Sequence, residues 1–390
     1  MKYDYAIIGG GASGLMLAAL VDINKCGASG VIIESGSSLG SKILMSGGGH
    51  CNITHGGSIK DFLQAYGDAG RFLRKCLYRH NNLELIRWLE QDIPTVCDEN
   101  GRVFPASMKA REVLDFLHGK AVANGWVIRL NTRVDDLRTV DAENVIVACG
   151  GITYPETGSD GALFGNMAEL GIGIVEPRAA LTPLKIKDYP YEELAGISLQ
   201  DVTVNVYDPD QGKVPASTGF ACSKTIPDGR KNEGGYLPNS CAGRAARMSG
   251  DMLFTHDGFS GPVILNISKY AVPGGHISID YGKQLDELPR RLKKFIEDRS
   301  RGPSGDIRTR QVAALLANDR FVIDSIDSRG MVTSGGISLE EADPATMEIR
   351  PHLYAIGEAL DADGITGGYN LQMCYSTAAA VADVINNSNS

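Results

Sequence analysis

The glycines near the N-terminus have the spacing of a phosphate-binding turn. The motif Gly9-Gly10-Gly11-Ala12-Ser13-Gly14 follows an apolar run and opens an Ala/Leu-rich stretch. In such a G-x-G-x-x-G turn the first glycine permits a tight bend, the second lets the backbone approach a pyrophosphate, and the third lets the helix pack closely on the strand. Glu34 lies 20 residues after Gly14, where a carboxylate accepts hydrogen bonds from ribose hydroxyls. Together these residues predict a dinucleotide site.

A second glycine-rich segment follows between residues 40 and 52. It contains Gly40-Ser41-Lys42 and then Ser46-Gly47-Gly48-Gly49-His50-Cys51-Asn52. Successive glycines beside a lysine suit a loop whose amides surround an anion or lie against a ring system. A flexible surface loop is the alternative, but the apolar Ile43-Leu44-Met45 within the segment favours a loop that binds a cofactor.

Two later strand-like runs also end in glycine. Val145-Ile146-Val147-Ala148 precedes Cys149-Gly150-Gly151, and Tyr354-Ala355-Ile356 precedes Gly357-Glu358. A further turn at Gly367-Gly368 opens a helical stretch, whose free amides could stabilise negative charge that develops on a ring during reduction. A separate NAD site is the rival interpretation, but no second complete G-x-G-x-x-G unit occurs in the sequence.

Hydrophobic periodicity predicts the elements that position these motifs. Residues 3–34 have the pattern strand, turn, helix (from Gly14 to Asn24) and strand, and residues 181–279 contain mostly short β segments. Residues 208–250 are rich in Pro, Gly, Ser and charge, which predicts an extended loop. The other expected elements are helices at 68–91, 109–124, 285–300, 309–317 and 371–385, and strands at 126–130, 144–149 and 353–356. This order predicts a middle domain inserted between two parts of one nucleotide-binding domain.

The composition argues against several classes of protein. The 390 residues carry a formal net charge of −9, which speaks against a nucleic-acid partner. We interpret the basic cluster at 290, 291, 293 and 294 as the solvated face of a helix. No apolar run approaches the length of a membrane span and no signal peptide is recognisable, so we expect a cytoplasmic protein without a membrane partner. The eight cysteines form no C-x-x-C pair, and we expect no metal site.

The four motifs, in this order, resemble the aminoacetone-oxidase-like family of NAD(P)/FAD-dependent oxidoreductases, which includes a bile-acid reductase-like branch. Four further segments also match the pattern of this family, namely residues 101–105, 159–161, 253–256 and 331–336. The resemblance implies an α/β fold, in which a Rossmann-type FAD-binding domain of the glutathione-reductase type is interrupted by a mostly β domain. The expected domains are 1–180 with 332–390 for FAD, and 181–331 for the substrate, with a short helical segment at about 285–320.

The resemblance further implies FAD as the cofactor; if NAD(P)H is the reductant, it is expected to bind transiently at the flavin face. Carried over residue by residue, it assigns to FAD the residues Gly9, Gly11, Ala12, Ser13, Gly14, Glu34, Ser35, Lys42, Ser46, Gly47, Gly48, Gly49, Cys51, Asn52, Val134, Ala148, Gly150, Gly357, Glu358, Thr366, Gly367, Gly368, Asn370 and Leu371.

Four residues are candidates for catalysis: His50, Thr255, His256 and Tyr369. Each also has a plainer interpretation, which is loop packing for His50, a helix start for the Thr255-His256 motif and an aromatic cover of the glycine turn for Tyr369. The family has arginine where His50 stands, so a permanent charge is replaced here by a group whose charge depends on pH. Cys51 is expected to be a buried structural thiol rather than a redox group.

The predicted function is the oxidation or reduction of a small organic substrate by hydride transfer to or from flavin N5. The enzyme would be an amine-type oxidase or an NAD(P)H-using reductase of an activated double bond. Two alternatives remain: an FAD-dependent tRNA-modifying methyl-transfer enzyme, which would need a basic RNA-binding face, and a non-catalytic flavin-binding protein. The sequence leaves the substrate and the oligomeric state open.

Overall fold

The computed structural model describes residues 2–207, 244–302, 307–327 and 330–388. The chain divides into two compact units. The first, here called the Rossmann unit, contains Met1–Arg178 and Met331–Ser390. The second, here called the barrel unit, contains the described residues from Ala179 to Gly330. Within these described ranges no helix is long and apolar enough to cross a membrane.

The strands are numbered along the chain. They are β1 (Tyr3–Ile8), β2 (Gly30–Ile33), β3 (Thr54–His55), β4 (Thr95–Cys97), β5 (Arg102–Pro105), β6 (Val127–Arg129), β7 (Ala142–Val147), β8 (Ile174–Ala180), β9 (Leu184–Ile186), β10 (Ser198–Tyr207), β11 (Arg244–Phe254), β12 (Gly258–Ser260), β13 (His276–Asp280), β14 (Asp319–Ile326), β15 (Val332–Ile337), β16 (Glu348–Arg350) and β17 (Leu353–Ala355).

The α-helices are numbered in the same way. They are α1 (Ala12–Leu20), α2 (Ser41–Met45), α3 (Ile59–Ala65), α4 (Ala69–Arg79), α5 (Asn82–Leu89), α6 (Ala110–Ala123), α7 (Ala162–Glu169), α8 (Pro262–Ile267), α9 (Arg290–Arg299), α10 (Thr309–Asn318) and α11 (Tyr369–Ser388).

The Rossmann unit is built on a six-stranded sheet with the order β16-β17-β7-β1-β2-β6. All neighbours are parallel except the edge pair β16 and β17. The central strand β1 is apolar and buried from Tyr5 to Ile8, as is typical of a parallel sheet that is covered on both faces. Helix α1 packs against α6 and α11. The α/β fold with a Rossmann-type domain, predicted from the sequence, is confirmed.

Two predicted helices of this unit have different bounds in the structure. The helix expected to end at Asn24 ends at Leu20, because Val21 is extended. The helix expected at 68–91 is two helices, α4 and α5, since His80 leaves the helical conformation and Asn81 starts α5 by accepting a hydrogen bond from the Glu84 amide, 3.1 Å away. Asparagine is a preferred N-cap residue, so this break is visible in the sequence once it is sought.

The barrel unit is a closed six-stranded barrel with the order β10-β11-β12-β9-β14-β13. Its core contains the aromatic rings of Tyr191, Phe254, Phe259 and Phe321. One prediction is wrong here: residues 244–250 belong to β11 and pair with β10, whereas an extended loop was expected. Tertiary pairing overrides the weak strand pattern of this segment. The remainder of the predicted loop, 208–243, lies outside the described residues.

Buried Asp319 is the polar centre of the barrel unit. Its carboxylate, which is 2% exposed, accepts hydrogen bonds from the hydroxyls of Tyr191 and Tyr281. The Arg299 guanidinium lies 3.8 Å from it. Burial raises the pKa of Asp319 above its ordinary value, although the two hydroxyls and the guanidinium act in the opposite direction. A buried carboxylate is stable only with such partners.

Candidate cofactor site

The ends of four strands meet at the carboxyl edge of the Rossmann sheet. Gly9 follows β1, Glu34 follows β2, Ala148 follows β7, and Gly357 lies two residues after β17. Loops that follow adjacent parallel strands lie side by side, and ligands of open α/β sheets bind where the strand order reverses. That point is β1 here, because β2 lies on one side of it and β7 on the other.

The glycines of the first motif fall into two groups. At Gly9, where φ is +110°, an added Cβ would lie 2.4 Å from the Ala148 oxygen, and at Gly14 it would lie 2.1 Å from the Gly9 oxygen. Both positions therefore need glycine for packing. At Gly11 an added Cβ would meet no described atom within 4 Å. No side chain caps the N-terminus of α1 and its first turn has no acidic residue, so the amides beside this open space favour an anion.

The Glu34 carboxylate is held in place by backbone amides. It is 7% exposed, and its two oxygens accept hydrogen bonds from the amides of Gly10 (2.8 Å) and Gly36 (2.6 Å). Ser35 donates to it as well, at 3.2 Å. Oε1 accepts from both Gly36 and Ser35, whereas Oε2 accepts from Gly10 and keeps a further lone pair for a ribose hydroxyl. The Thr132 amide donates a hydrogen bond to the backbone carbonyl oxygen of Glu34. This bond places the segment that leads to Val134 beside Glu34.

Ser159 lies at the same edge, between the ends of β2 and β7. A Cβ on Gly150 would lie 2.7 Å from the Ser159 hydroxyl, and a Cβ on Gly158 would lie 2.6 Å from the Ser35 hydroxyl. The Ser159 hydroxyl is buried and has no hydrogen-bond partner among the described residues. Leaving a buried hydroxyl unsatisfied costs about 1–3 kcal/mol, so this group is suited to a ligand.

Lys42 and Glu358 form an ion pair at the end of β17. The Lys42 ammonium lies 2.8 and 2.9 Å from the two Glu358 oxygens and donates to the Thr153 hydroxyl at 2.7 Å. The Thr333 amide donates to the same carboxylate at 2.7 Å. Both charged side chains are largely buried, at 26% and 16% exposure. Residues from four separate segments are thus joined through one carboxylate.

The Ser46–Gly49 segment is a tight turn in which all three glycines have positive φ, with Gly49 at +91°. Gly47 and Gly48 have φ of +56° and +66°, a conformation that favours glycine. Buried Ile43 anchors the preceding helix α2 in the core. Cys51 is completely buried, and burial raises the pKa of its thiol to about 11. Its thiolate population at neutral pH is negligible, which is the behaviour of a structural cysteine.

Two asparagines hold the glycine turn before α11. The Asn52 amide, oriented so that all its groups are satisfied, donates to the Val103 and Thr54 carbonyls and accepts from the Gly368 amide at 3.1 Å. The Asn370 side chain bonds both the amide and the carbonyl of Gly364, at 2.8 and 3.0 Å. These side chains act on the backbone. Thr366 and Gly367 belong to the same turn, and Leu371 lies in the first turn of α11.

Tyr369 packs in an aromatic cluster. It is 1% exposed, its ring stacks on His55 at 5.2 Å, and the edges of Phe62 and Tyr66 face it. His55 accepts from the Gly57 amide through Nδ1 and lies 2.9 Å from the Asn100 oxygen through Nε2. Burial lowers the pKa of His55, so the imidazole is neutral with its proton on Nε2.

His50 lines a cavity of about 400 Å³ in the Rossmann unit. The other walls include Gly47, Asn52, Phe104 and Met108. The His50 Nδ1 lies 2.9 Å from the Met108 carbonyl oxygen, which assigns the proton to Nδ1 and leaves Nε2 for another partner. The side chain is exposed. The cavity adjoins the glycine turn at 46–49, and its volume is in the range of ligand pockets.

The other two catalytic candidates lie in the barrel unit. Thr255 and His256 form the turn between β11 and β12, where the Thr255 amide bonds the Gly258 carbonyl and His256 is exposed. The helix start expected after them is present, since α8 begins at Pro262. In the described ranges, no group of three or more His, Cys, Asp or Glu side chains could hold a metal ion.

Sequence reasoning missed Thr153, Ser159 and Thr333 as members of this edge. Thr333 donates its amide to Glu358 and accepts a bond from the Ile152 amide at 2.8 Å. A usable signal existed for two of them, because Ser159 and Thr333 fall in segments that matched the resemblance. Thr153 had only its position shortly after Gly150-Gly151.

Curated proteins similar to this chain include two with the same name. Ribosomal RNA dihydrouridine synthase of Escherichia coli (strain K12) is 26% identical, with 98% of this chain and 97% of that protein covered. The protein of that name from Haemophilus influenzae is also 26% identical, over 96% of each. The 3-dehydro-bile acid delta(4,6)-reductase of Clostridium scindens is 26% identical over 95% of this chain and 96% of that protein.

Solved structures share the fold at low identity. A quinol-fumarate reductase superposes with a TM-score of 0.50 at 15% identity, with 99% of this chain and 71% of that chain covered. A 3-ketosteroid delta1-dehydrogenase from Sterolibacterium denitrificans superposes with a TM-score of 0.50 at 13% identity, over 99% of both chains. The family model described as the HI0933-like protein Rossmann domain matches residues 3–384. Since that match spans nearly the whole chain, the protein belongs to the HI0933-like family.

Proposed function

We propose that the chain is an FAD-dependent reductase that adds hydride to a carbon–carbon double bond conjugated with a carbonyl group. The observation that carries the proposal is the set of groups at one sheet edge, namely open space at Gly11, a held carboxylate at Glu34 and a buried unpaired hydroxyl at Ser159. The names of the similar proteins support the reaction class.

The residues of the edge fit FAD. The α1 N-terminus and Gly11 would hold the pyrophosphate, Glu34 the adenosine ribose, and the turns at 46–49 and 367–368 the ring system. Bound FAD supplies hydride transfer between a nicotinamide and the substrate. The Lys42–Glu358 pair, bonded to Thr153 and Thr333, would fix the positions of β17 and the 46–49 turn relative to the cofactor.

The names of the relatives describe one class of reaction, the reduction of a carbon–carbon double bond. A dihydrouridine synthase saturates the ring double bond of uracil, and a 3-dehydro-bile acid delta(4,6)-reductase saturates double bonds conjugated with a ketone. In the reaction proposed for this chain, hydride adds to the carbon farther from the carbonyl and a proton adds to the nearer one. NAD(P)H and one proton are consumed and NAD(P)⁺ is released, so electrons and atoms balance.

The cavity at His50 is the proposed substrate pocket. Phe104 and Met108 give it apolar walls that suit a flat ring. The Met108 carbonyl bonds Nδ1 of His50, so Nε2 remains available to a substrate. A protonated imidazole there would deliver the proton that follows hydride addition. Cys51 takes no part in this step, because burial raises the pKa of its thiol to about 11.

Anaerobic stopped-flow measurements test the proposal. We expect NADH or NADPH to bleach the flavin, and cyclohexenone or a uridine-containing RNA to reoxidise it. The variant His50→Gln should keep its rate of bleaching and lose at least about tenfold in the rate of reoxidation. The control variant His118→Gln changes an exposed histidine on α6 and should alter neither rate.

Two outcomes would contradict the proposal. Flavin that neither nucleotide bleaches, but that a primary amine reduces, would support the amine-type oxidase instead. Purified protein that holds no FAD, and takes up none, would remove the flavin chemistry altogether. A tRNA-modifying methyl-transfer enzyme and a non-catalytic flavoprotein stay as predictions.

A further inference from the structure

The basic residues of the barrel unit are concentrated in a short part of the chain. Residues 290–310 contain eight basic and three acidic residues, although the whole chain carries a net charge of −9. Four of the basic side chains, here called the α9/α10 patch, are Arg290, Lys294, Arg308 and Arg310. All four are exposed, and none forms an ion pair with a described residue.

Two residues of the patch lie on the outer face of α9, and the other two lie at the start of α10. Leu292 and Ile296 bury the inner face of α9, so Arg290 and Lys294, one helical turn apart, lie on the opposite face. The Arg308 amide bonds the Ser300 carbonyl at 2.9 Å, which brings the start of α10 to the end of α9. At 1.5 Å per residue the path from Arg290 to Ser300 is about 15 Å, comparable to a few phosphates of a nucleic-acid strand.

These cations are not placed to stabilise the helices. Positive side chains near a helix N-terminus oppose its dipole, and acidic ones favour it. Neither α9 nor α10 has an acidic residue in its first turn, whereas α3, α5 and α6 of the Rossmann unit each have one. The patch also places like charges at Arg290 and Lys294, an i, i+4 spacing that is destabilising. A bound polyanion would offset both costs.

We propose that the α9/α10 patch is a docking surface for the phosphate backbone of RNA. The proposal rests on the proposed reductase function, because two relatives with that reaction class are named for ribosomal RNA. From the sequence alone, the total charge predicts no nucleic-acid partner, and we interpret the basic cluster at 290–294 as the solvated face of a helix. Backbone binding depends on the local density of Lys and Arg, which is high on this surface.

The test measures RNA binding by the FAD-loaded protein in the absence of NAD(P)H. The probe is a short fluorescein-labelled single-stranded RNA of mixed sequence, followed by anisotropy at about 50 to 200 mM KCl. The variant Arg290→Gln/Lys294→Gln/Arg308→Gln/Arg310→Gln should bind at least about tenfold more weakly. The slope of the logarithm of the binding constant against the logarithm of the salt concentration should become less negative by up to about 3, because each lost contact with a single strand contributes about 0.7.

A matched control removes four exposed cations from α3 and α4 of the Rossmann unit. Lys60→Gln/Arg71→Gln/Arg74→Gln/Lys75→Gln changes the net charge equally and should leave the affinity within about twofold of the parent. Equal losses in both variants would show that only total charge matters and would overturn the proposal. So would parental affinity of the α9/α10 variant, or tighter binding to phosphatidylglycerol vesicles than to RNA.

Failure of this proposal and failure of the proposed function are distinguishable. Flavin bleaching by NAD(P)H and reoxidation by cyclohexenone need no RNA. If these persist and RNA does not bind, only the docking surface is wrong. If RNA binds through the patch and the flavin is not bleached, only the reductase assignment is wrong.

Discussion

Glu358 of the Rossmann unit and Asp319 of the barrel unit are both carboxylates largely removed from water, but their partners differ. Glu358 is bonded by the Lys42 ammonium, and the Thr333 amide donates to it at 2.7 Å. Asp319 is bonded by two tyrosine hydroxyls, and its nearest cation lies 3.8 Å away. Glu358 keeps 16% of its side chain exposed, whereas Asp319 keeps 2%.

The difference indicates different roles. Glu358 follows a strand at the carboxyl edge, where the neighbouring groups at Gly11 and Ser159 leave space or bonding capacity unused. Asp319 begins β14 inside a closed barrel, among aromatic rings, with its bonding capacity taken up by the barrel's own side chains. We therefore expect a change at Asp319 to affect the stability of the fold, and a change at Glu358 to affect cofactor retention.

The largest expected effect is that of Asp319→Ala on stability. The change leaves the buried hydroxyls of Tyr191 and Tyr281 without their acceptor, which should lower the free energy of unfolding by about 2–5 kcal/mol. Urea denaturation measures it, and the FAD content of the folded protein should stay at the parental value. As the control, Asp257→Ala removes an exposed carboxylate of the same barrel, paired with Lys185, and should cost less than about 1 kcal/mol.

Glu358→Gln should produce a smaller effect of a different kind. The Lys42 ammonium then loses its counter-charge, so the contact that joins α2, the helix before the 46–49 turn, to the end of β17 weakens. We expect about tenfold weaker FAD binding, or about 1.4 kcal/mol, measured by flavin fluorescence on titrating the apoprotein. Glu341→Gln breaks a more exposed pair of the same unit, with Arg350 at 2.7 Å, and should leave FAD affinity unchanged. Equal effects of the two changes would remove the special role of Glu358.

The sequence predicts the local part of the site better than the assembled part. Gly9, Gly14 and Glu34 lie within one strand–helix–strand unit, where spacing along the chain determines position in space. Thr153, Thr333 and Glu358 are joined only by tertiary structure, since 205 residues separate Thr153 from Glu358. Threonine carries no distinctive pattern, and no spacing rule connects such distant segments.

The same limit applies to the barrel. Alternating apolar residues predict the strands, and a mostly β middle domain was expected for that reason. Tyr191 and Asp319, however, are 128 residues apart, and a tyrosine beside a strand has no feature that identifies it as the partner of a buried acid. The break between α4 and α5 is different, since Asn81 is a local signal that outweighs the continuous helical pattern around it.

The smallest expected effect is a dependence of barrel stability on pH. Because burial raises the pKa of Asp319 in the folded state, folding favours the protonated carboxyl. Its contribution is therefore complete below the ordinary value of 3.8 and is lost as the pH rises through the raised folded pKa. The variant Asp319→Asn has no proton to lose at this position. Relative to that variant, the parent protein should become less stable as the pH rises above about 4, as urea denaturation of both proteins would measure. The opposite trend would mean that attraction to Arg299 and the two hydroxyls outweighs burial, and Asp319 would then resemble Glu358 in being held as a charge.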